Sequence, residues 1–226
     1  MANKSKRYEE ALQKVDRGRL YGLEEAVEAL KSMKAAKFDE TVEVSVQLGI
    51  DPKQSDQQVR GSISLPHGIG RQRTVAVFTS GENVDVAKAA GADYVGGADL
   101  AEKIEGGWME FDVALATPDM LRIVGKLGRH LGPRGLMPTP KNGTVRQDIA
   151  DAVKEFKAGK IELRSDEGGN IHAAVGKMSF SAQAILENVR EVIEQLMRLK
   201  PIGCKGKYIK KLVVSSTMGP GIKIKV

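Results

Sequence analysis

The hydrophobic period of the chain changes twice, and this limits the fold more than any single motif. Val42, Val44, Val46 and Leu48 alternate with Glu43, Ser45 and Gln47, which makes a strand with one buried face. Asp51-Pro52 ends it, and Val59 to Leu65 forms a second short strand closed by Pro66-His67-Gly68. Ahead of both, Leu23, Val27, Leu30 and Met33 recur at helical spacing, so the spacing predicts an amphipathic helix over 22–34. In the middle third alternation disappears. Val75–Phe78, Tyr94–Val95 and Val113–Ala116 are short unbroken apolar runs separated by helical patterns. Asp99 with Glu102 reads as a capping pair, and Thr117 before Pro118 as a helix start. Met120/Leu121, Val124, Leu127 and Leu131 give that helix its apolar stripe. A further helix starts at Asp148, buries Ile149, Val153 and Phe156, and stops at Gly159.

From Lys160 the alternating style returns. Ile161 and Leu163 form a strand, Asp166 to Asn170 a turn, and Ile171 to Val175 is expected to pair back on it. The longest helix carries Ile185, Val189, Val192, Leu196 and Leu199 on one face and ends at Pro201 and Gly203. Two strands follow around Thr217–Gly221. Strand–helix repeats in the middle imply a parallel sheet with crossover helices. The outer stretches are each too short to bury a core alone and together make an antiparallel sheet with helices on it. The fold class is therefore α/β with two domains. An α+β domain over 1–67 plus 160–226 carries an inserted Rossmann-like parallel α/β domain over 68–159.

Several function classes lose support. Cys204 is the only cysteine, so no disulfide forms within the chain. No apolar run approaches the roughly 20 residues that span a bilayer, and no apolar segment follows the basic start Lys4, Lys6, Arg7. His67, His130 and His172 are scattered and lack metal-ligand spacing. No catalytic residue, metal or cofactor is expected. Gly68-Ile69-Gly70 precedes a strand, whereas a dinucleotide fingerprint follows one. Gly96-Gly97 lies between strand and helix, where it either binds phosphate or simply turns the chain.

What remains is a polyanion. The net charge is +6, and no acid follows Glu194 while Lys200, Lys205, Lys207, Lys210, Lys211, Lys223 and Lys225 do. Among these lysines Ser215-Ser216-Thr217-Met218-Gly219-Pro220-Gly221 forms a turn of small residues. A second acid-free run holds Arg122, Lys126, Arg129, Arg134, Lys141 and Arg146, either a phosphate-contacting surface or a solvated helix face with a stiff loop. Aromatic residues make up only 4%, which disfavours the stacking platforms of single-strand binders. A sheet edge docking on folded RNA fits better, with Thr217 or a carboxylate such as Glu43 meeting a 2′-hydroxyl.

Longer motifs then become recognisable. Lys37-Phe38-Asp39-Glu40-Thr41-Val42-Glu43, Leu48-Gly49-Ile50-Asp51, Val59-Arg60-Gly61 and Leu65-Pro66-His67-Gly68 resemble the ribosomal protein L1 family of the large-subunit mobile stalk. So do Gly91 to Gly97, Gly125 to Pro138 and Ser216-Thr217-Met218-Gly219-Pro220, so the resemblance runs along essentially the whole chain. It implies two domains with the second inserted into the first, no catalysis, and a place in the cytoplasmic ribosome. It also implies binding of large-subunit ribosomal RNA, a part in release of exit-site tRNA, and repression of translation through the operon's own mRNA. The RNA contacts it implies fall on Phe38, Thr41, Glu43, Thr217, Met218 and Gly219, with Lys37 beside them and Arg164 and His172 as further positions. Thr41 and Glu43 are two apart on a strand and share a face opposite Val42 and Val44. Phe38 serves equally well as a core anchor or as a surface for a ribose or base.

Overall fold

Alternation along one strand decides which side of a sheet the helices cover, and its loss elsewhere means that both sides are covered. The computed structural model describes residues 5–33 and 36–225. They fall into two compact units, one formed by the chain up to Gly70 together with the chain from Ile161, the other by Arg71–Lys160.

The first unit opens with α1 (Lys6–Gln13), α2 (Leu23–Lys31), β1 (Thr41–Leu48) and β2 (Arg60–Ser64). The second contains β3 (Val75–Phe78), α3 (Asn83–Ala89), β4 (Tyr94–Gly96), α4 (Ala98–Glu105), β5 (Val113–Ala116), α5 (Leu121–Lys126), α6 (Gly128–Leu131) and α7 (Ile149–Ala158). The chain then continues through β6 (Lys160–Arg164), β7 (Asn170–Lys177), α8 (Ala182–Arg198), β8 (Ile209–Ser216) and β9 (Ile222–Ile224).

In the second unit β3 is the central strand of a parallel sheet ordered β4-β3-β5. Its residues are buried without alternation because successive side chains enter two different layers. Ala76, Phe78, Ala114 and Ala116 pack with Ile104, Leu127 and Leu131, while Val75, Val77, Val113 and Leu115 pack with Ile149, Val153 and Phe156. Asp148 caps α7 by accepting the Asp151 N–H, and Gly159 closes it in the left-handed region at φ 114°.

In the first unit the sheet order is β7-β1-β8-β9, with every neighbour antiparallel. Val42, Val44 and Val46 point inward and are fully buried. Against them lie Val27 and Leu30 of α2 and Ile185, Val189, Val192 and Leu196 of α8. β2 and β6 form a separate two-stranded sheet. The single polar residue buried on α8, Asn188, donates to the Gly68 and Val175 carbonyls at 3.0 and 2.7 Å and accepts the His67 N–H at 3.2 Å. All of its bonds run to backbone, which makes its burial tolerable.

The mixed α/β class is as expected, and several local expectations change. The turn at 166–170 forms, with Asp166 accepting the Gly168 and Asn170 N–H groups, but it does not close a hairpin. Among the described residues an isolated Ser165–Ile171 bridge, rather than a ladder, joins its sides. β6 pairs with β2, and β7 pairs with the eight-residue β1, a longer partner than the five-residue β6. The 22–34 helix ends at Lys31, with Met33 still buried in a turn; Lys34 lies outside the described residues. Asp99 is not a cap for the helix it was expected to start: α4 begins at Ala98 after Gly97. Thr117 leads into a 3-10 turn over Pro118–Met120, and the helix after it breaks at Leu127 into α5 and α6, both of which still bury the expected stripe at Val124, Leu127 and Leu131.

Candidate nucleic-acid interface

β1 decides the site because both its neighbours hold polar residues in register with its outward face. Thr41 lies opposite Lys177, Glu43 opposite Ala174 and Ser215, Ser45 opposite His172 and Val213, and Gln47 opposite Asn170 and Lys211. Lys223 of β9 lies opposite Val213 and extends the same face. Directly opposed residues share a side of a sheet, so this face carries Lys177, Lys211, Lys223, His172 and Glu43, and Asp166 stands 3.9 Å from the His172 ring. Glu43 is exposed and makes no hydrogen bond or ion pair among the described residues.

At one end of the face two segments far apart in sequence lock together. The Thr217 N–H donates to the Thr41 carbonyl at 3.0 Å, and the Thr41 N–H donates to Thr217 Oγ1 at 3.0 Å. Thr217 Oγ1 also donates to the Thr41 carbonyl at 3.3 Å. The Thr217 hydroxyl is thus used as donor and acceptor inside the protein, leaving one lone pair outward. It holds the two segments together, and its remaining lone pair can still accept from a partner. Thr41 has the complementary state: its Oγ1 accepts from Lys177 Nζ at 2.8 Å, and its own O–H remains available to a partner.

Ser216 to Gly219 form a tight turn closed by the Gly219 N–H on the Ser216 carbonyl at 3.1 Å. Met218 at its tip is 51% exposed and Phe38, ahead of β1, is 54% exposed. Phe38 is therefore not a core anchor. A Cβ at Gly219 would lie 2.5 Å from Ser216 Oγ. A side chain there would push the Ser216 hydroxyl aside, so the glycine has a reason within the turn. Lys37 is exposed beside Phe38. Asp39, next in line, accepts the Ser179 N–H at 3.0 Å and the Ser179 hydroxyl at 2.7 Å, which fixes the segment leading into β1.

Behind the turn stands a residue that the site reasoning passed over. Glu40 is 2% exposed. Its carboxylate accepts the Met218 N–H at 2.9 Å, the Ser216 hydroxyl at 2.7 Å and the Ala36 N–H at 2.6 Å, with Arg7 Nη1 at 3.4 Å. Burial pushes its pKa up, but those donors and the Arg7 charge outweigh burial and hold it below the ordinary glutamate value. A signal for it was present: Glu40 precedes Val42 by two and so has the inward parity of the strand.

His172 sits on the outward face, with Nδ1 3.0 Å from Ser45 Oγ. Arg164 does not join it; it is exposed on β6, in the separate two-stranded sheet. The structure thus brings Lys37, Phe38, Thr41, Glu43, Thr217, Met218 and Gly219 around one end of the β1–β8 pair, places His172 along the same face, and leaves Arg164 on another sheet.

The alternative phosphate site in the second unit is filled by the protein itself. The Gly97 N–H donates to the Asp99 carboxylate at 2.8 Å, and this bond leads the causes that lower the Asp99 pKa. A carboxylate in that position repels a phosphate. Among the described residues no group of three His, Cys, Asp or Glu side chains could hold a metal, and no helix is long and apolar enough to cross a membrane.

A family model described as the ribosomal protein L1p/L10e family matches residues 30–220. The chain is 55% identical over 224 residues to the large ribosomal subunit protein uL1 of Kosmotoga olearia, covering 99% of this chain and 97% of that protein. It is 56% identical over 225 residues to the large ribosomal subunit protein uL1 of Thermosipho africanus, with the same coverage.

Proposed function

The chain belongs to the ribosomal protein L1p/L10e family, and on that premise we propose that it binds large-subunit ribosomal RNA through the outward end of β1 and β8. It is a protein of the large ribosomal subunit, its place of work is the cytoplasmic ribosome, and its relatives are named as ribosomal proteins rather than enzymes. The first unit is the RNA-binding domain, and the second is inserted into it.

One observation carries the RNA reading. Exposed Phe38 and Met218 stand at one end of a polar face on which a carboxylate with no partner among the described residues, Glu43, lies with Lys177, Lys211 and Lys223. Lysines attract phosphates at long range. A carboxylate on the same face cannot meet a phosphate and must accept from a neutral donor, which a 2′-hydroxyl or a base N–H supplies. The free O–H of Thr41 offers the reciprocal donor. Phe38 and Met218 cover the apolar side of a ribose or base.

The test is a filter-binding titration against a transcript of the stalk region of large-subunit RNA and a DNA of the same sequence and secondary structure. RNA is expected to bind at least about tenfold tighter, since several contacts need the 2′-hydroxyl. Equal affinity would remove the basis for assigning Glu43 and Thr41.

Two finer roles rest on the family resemblance: release of exit-site tRNA, and repression of the chain's own operon through an mRNA fold that mimics the ribosomal site. If the second holds, ribosomal RNA and the operon leader compete for the same face. A leader transcript that binds without displacing the ribosomal fragment would refute it. The first predicts slower departure of deacylated tRNA from ribosomes lacking this protein.

A further inference from the structure

We propose that Glu40 is the positioning residue of this RNA-binding face: its buried carboxylate, rather than packing beneath it, sets where the Met218 turn stands against the segment that carries Lys37, Phe38 and Thr41. The proposal rests on the RNA-binding reading and deepens it.

The two carboxylate oxygens divide the work. Oε2 accepts the Met218 N–H at 2.9 Å and the Ser216 hydroxyl at 2.7 Å, both from the turn after β8. Oε1 accepts the Ala36 N–H at 2.6 Å, from the segment leading into β1, and faces Arg7 Nη1 of α1 at 3.4 Å. The Glu40 carbonyl accepts the Met178 N–H at 2.8 Å, from the connection between β7 and α8. One residue thereby joins four stretches of chain that are remote in sequence. Every bond to its side chain comes from a donor, and a carboxylate is an acceptor only. Charge-assisted bonds of this kind are about twice as strong as neutral ones.

Packing positions the turn less tightly. Beside the turn lies a partly open hollow of about 10 Å³, lined among others by Met33, Met178, Met218 and Glu40. That is roughly one water in size. Methionines are the least shape-specifying apolar side chains. Thioethers around a water-sized hollow fix the position of the turn less than directed bonds do, and the hydrogen bonds to Oε2 are the directed ones. Gly219 belongs to the same device. Any Cβ there would displace the Ser216 hydroxyl that points at Glu40.

Glu40→Gln tests this with little change in volume. The amide NH₂ should face the Oε2 side, because the Ser216 hydroxyl there can turn to accept while the Ala36 N–H and Arg7 can only donate, so the bond from the Met218 N–H is lost. In the free full-length protein, exchange of the Met218 amide hydrogen should quicken by about tenfold or more while that of Val44 stays as it was. Affinity for the stalk transcript should fall at least about fivefold. In a Met218→Ala background Glu40→Gln should then cost less than about twofold more, because both changes act on one turn. Val46→Ala serves as a control that destabilises the same sheet away from the turn, and its affinity should be close to that of the wild type.

Unchanged Met218 exchange in Glu40→Gln would overturn the proposal, as would an affinity loss matched by Val46→Ala or strictly additive with Met218→Ala. If Glu40→Gln does not fold, Ser216→Ala removes one of the two bonds to Oε2 and should show the same pattern at smaller amplitude; no change at Met218 there would equally overturn it. If the wild-type chain itself fails to bind the transcript, the RNA reading falls, and the exchange measurement alone decides whether Glu40 holds the turn.

Discussion

Each of the two units ends a strand in a small-residue turn with a carboxylate close by, and the two carboxylates have opposite consequences. In the inserted unit, Asp99 reaches back in front of the turn and takes the Gly97 N–H. A Cβ at Gly96 would sit 2.9 Å from that same carboxylate. The outward donor is consumed, and a negative charge stands where an anion would have to come. In the discontinuous unit, Glu40 takes the Met218 N–H from behind. The donor is satisfied and the charge is buried, so Met218, the Thr41 hydroxyl and the lysines all face outward. The lesson is that a glycine turn after a strand says little about binding until the side from which its N–H groups are satisfied is known.

The sharpest way to break the comparison is to damage the inserted unit. Phe78 is fully buried in its core, and Phe78→Ala should cost about 3–5 kcal/mol in denaturant unfolding of that unit. If RNA binding belongs to the other unit, affinity for the stalk transcript should be unchanged; a comparable loss of affinity would mean that the inserted unit takes part. Next in size is Met218→Ala, expected to weaken RNA binding by roughly 1–3 kcal/mol, as for a well-placed interface side chain, with a melting temperature close to that of the wild type. A drop in stability without a drop in affinity would turn Met218 into a packing residue.

Charge gives a smaller and differently shaped effect. Lys211→Gln and Lys223→Gln should each lower the slope of log affinity against log salt by about one. Unchanged slopes would confine binding to the Thr41–Thr217 end of the face. The smallest effect is expected at Asp99. Its pKa is lowered in the folded chain, so its contribution is present above the ordinary aspartate range and is lost as pH falls through the folded value. Asp99→Asn should therefore cost under about 1 kcal/mol at neutral pH, with the difference from wild type shrinking in acid. A difference that grows in acid would reverse the assignment.

Much of the fold was legible because it depends on period alone. Val42, Val44 and Val46 announce an inward face, and the unbroken runs at Val75–Phe78 and Val113–Ala116 announce strands covered on both sides. The stop at Gly159 and the start at Asp148 are local backbone chemistry and were equally plain. The hairpin expected at 166–170 fails for a reason of another kind. Its turn residues behave as local chemistry requires, yet β7 finds a better partner in β1, a strand more than a hundred residues earlier. The Asp99 reading fails by two residues: from the second helical position its carboxylate turns back to the N–H of the cap residue, whereas a cap side chain takes the N–H groups that follow it. Within the site, polar residues on an outward parity were readable as candidates, whereas their state was not. Whether the Thr217 hydroxyl is free or spent depends on a partner 176 residues away.

By itself the sequence determined which residues face in and which face out, which stretches are half-covered and which fully covered, and the excess of positive charge near the end of the chain. These follow from strand and helix periods that every backbone shares. Only the tertiary structure decided that β8 would lie against β1 in the register that sets Thr217 on Thr41. The same register turns Glu40, an inward acid that reads as a liability, into the clasp of the exposed turn. Pairing between distant strands is settled by the summed burial and hydrogen bonding of the whole sheet, and no local window of residues contains that sum.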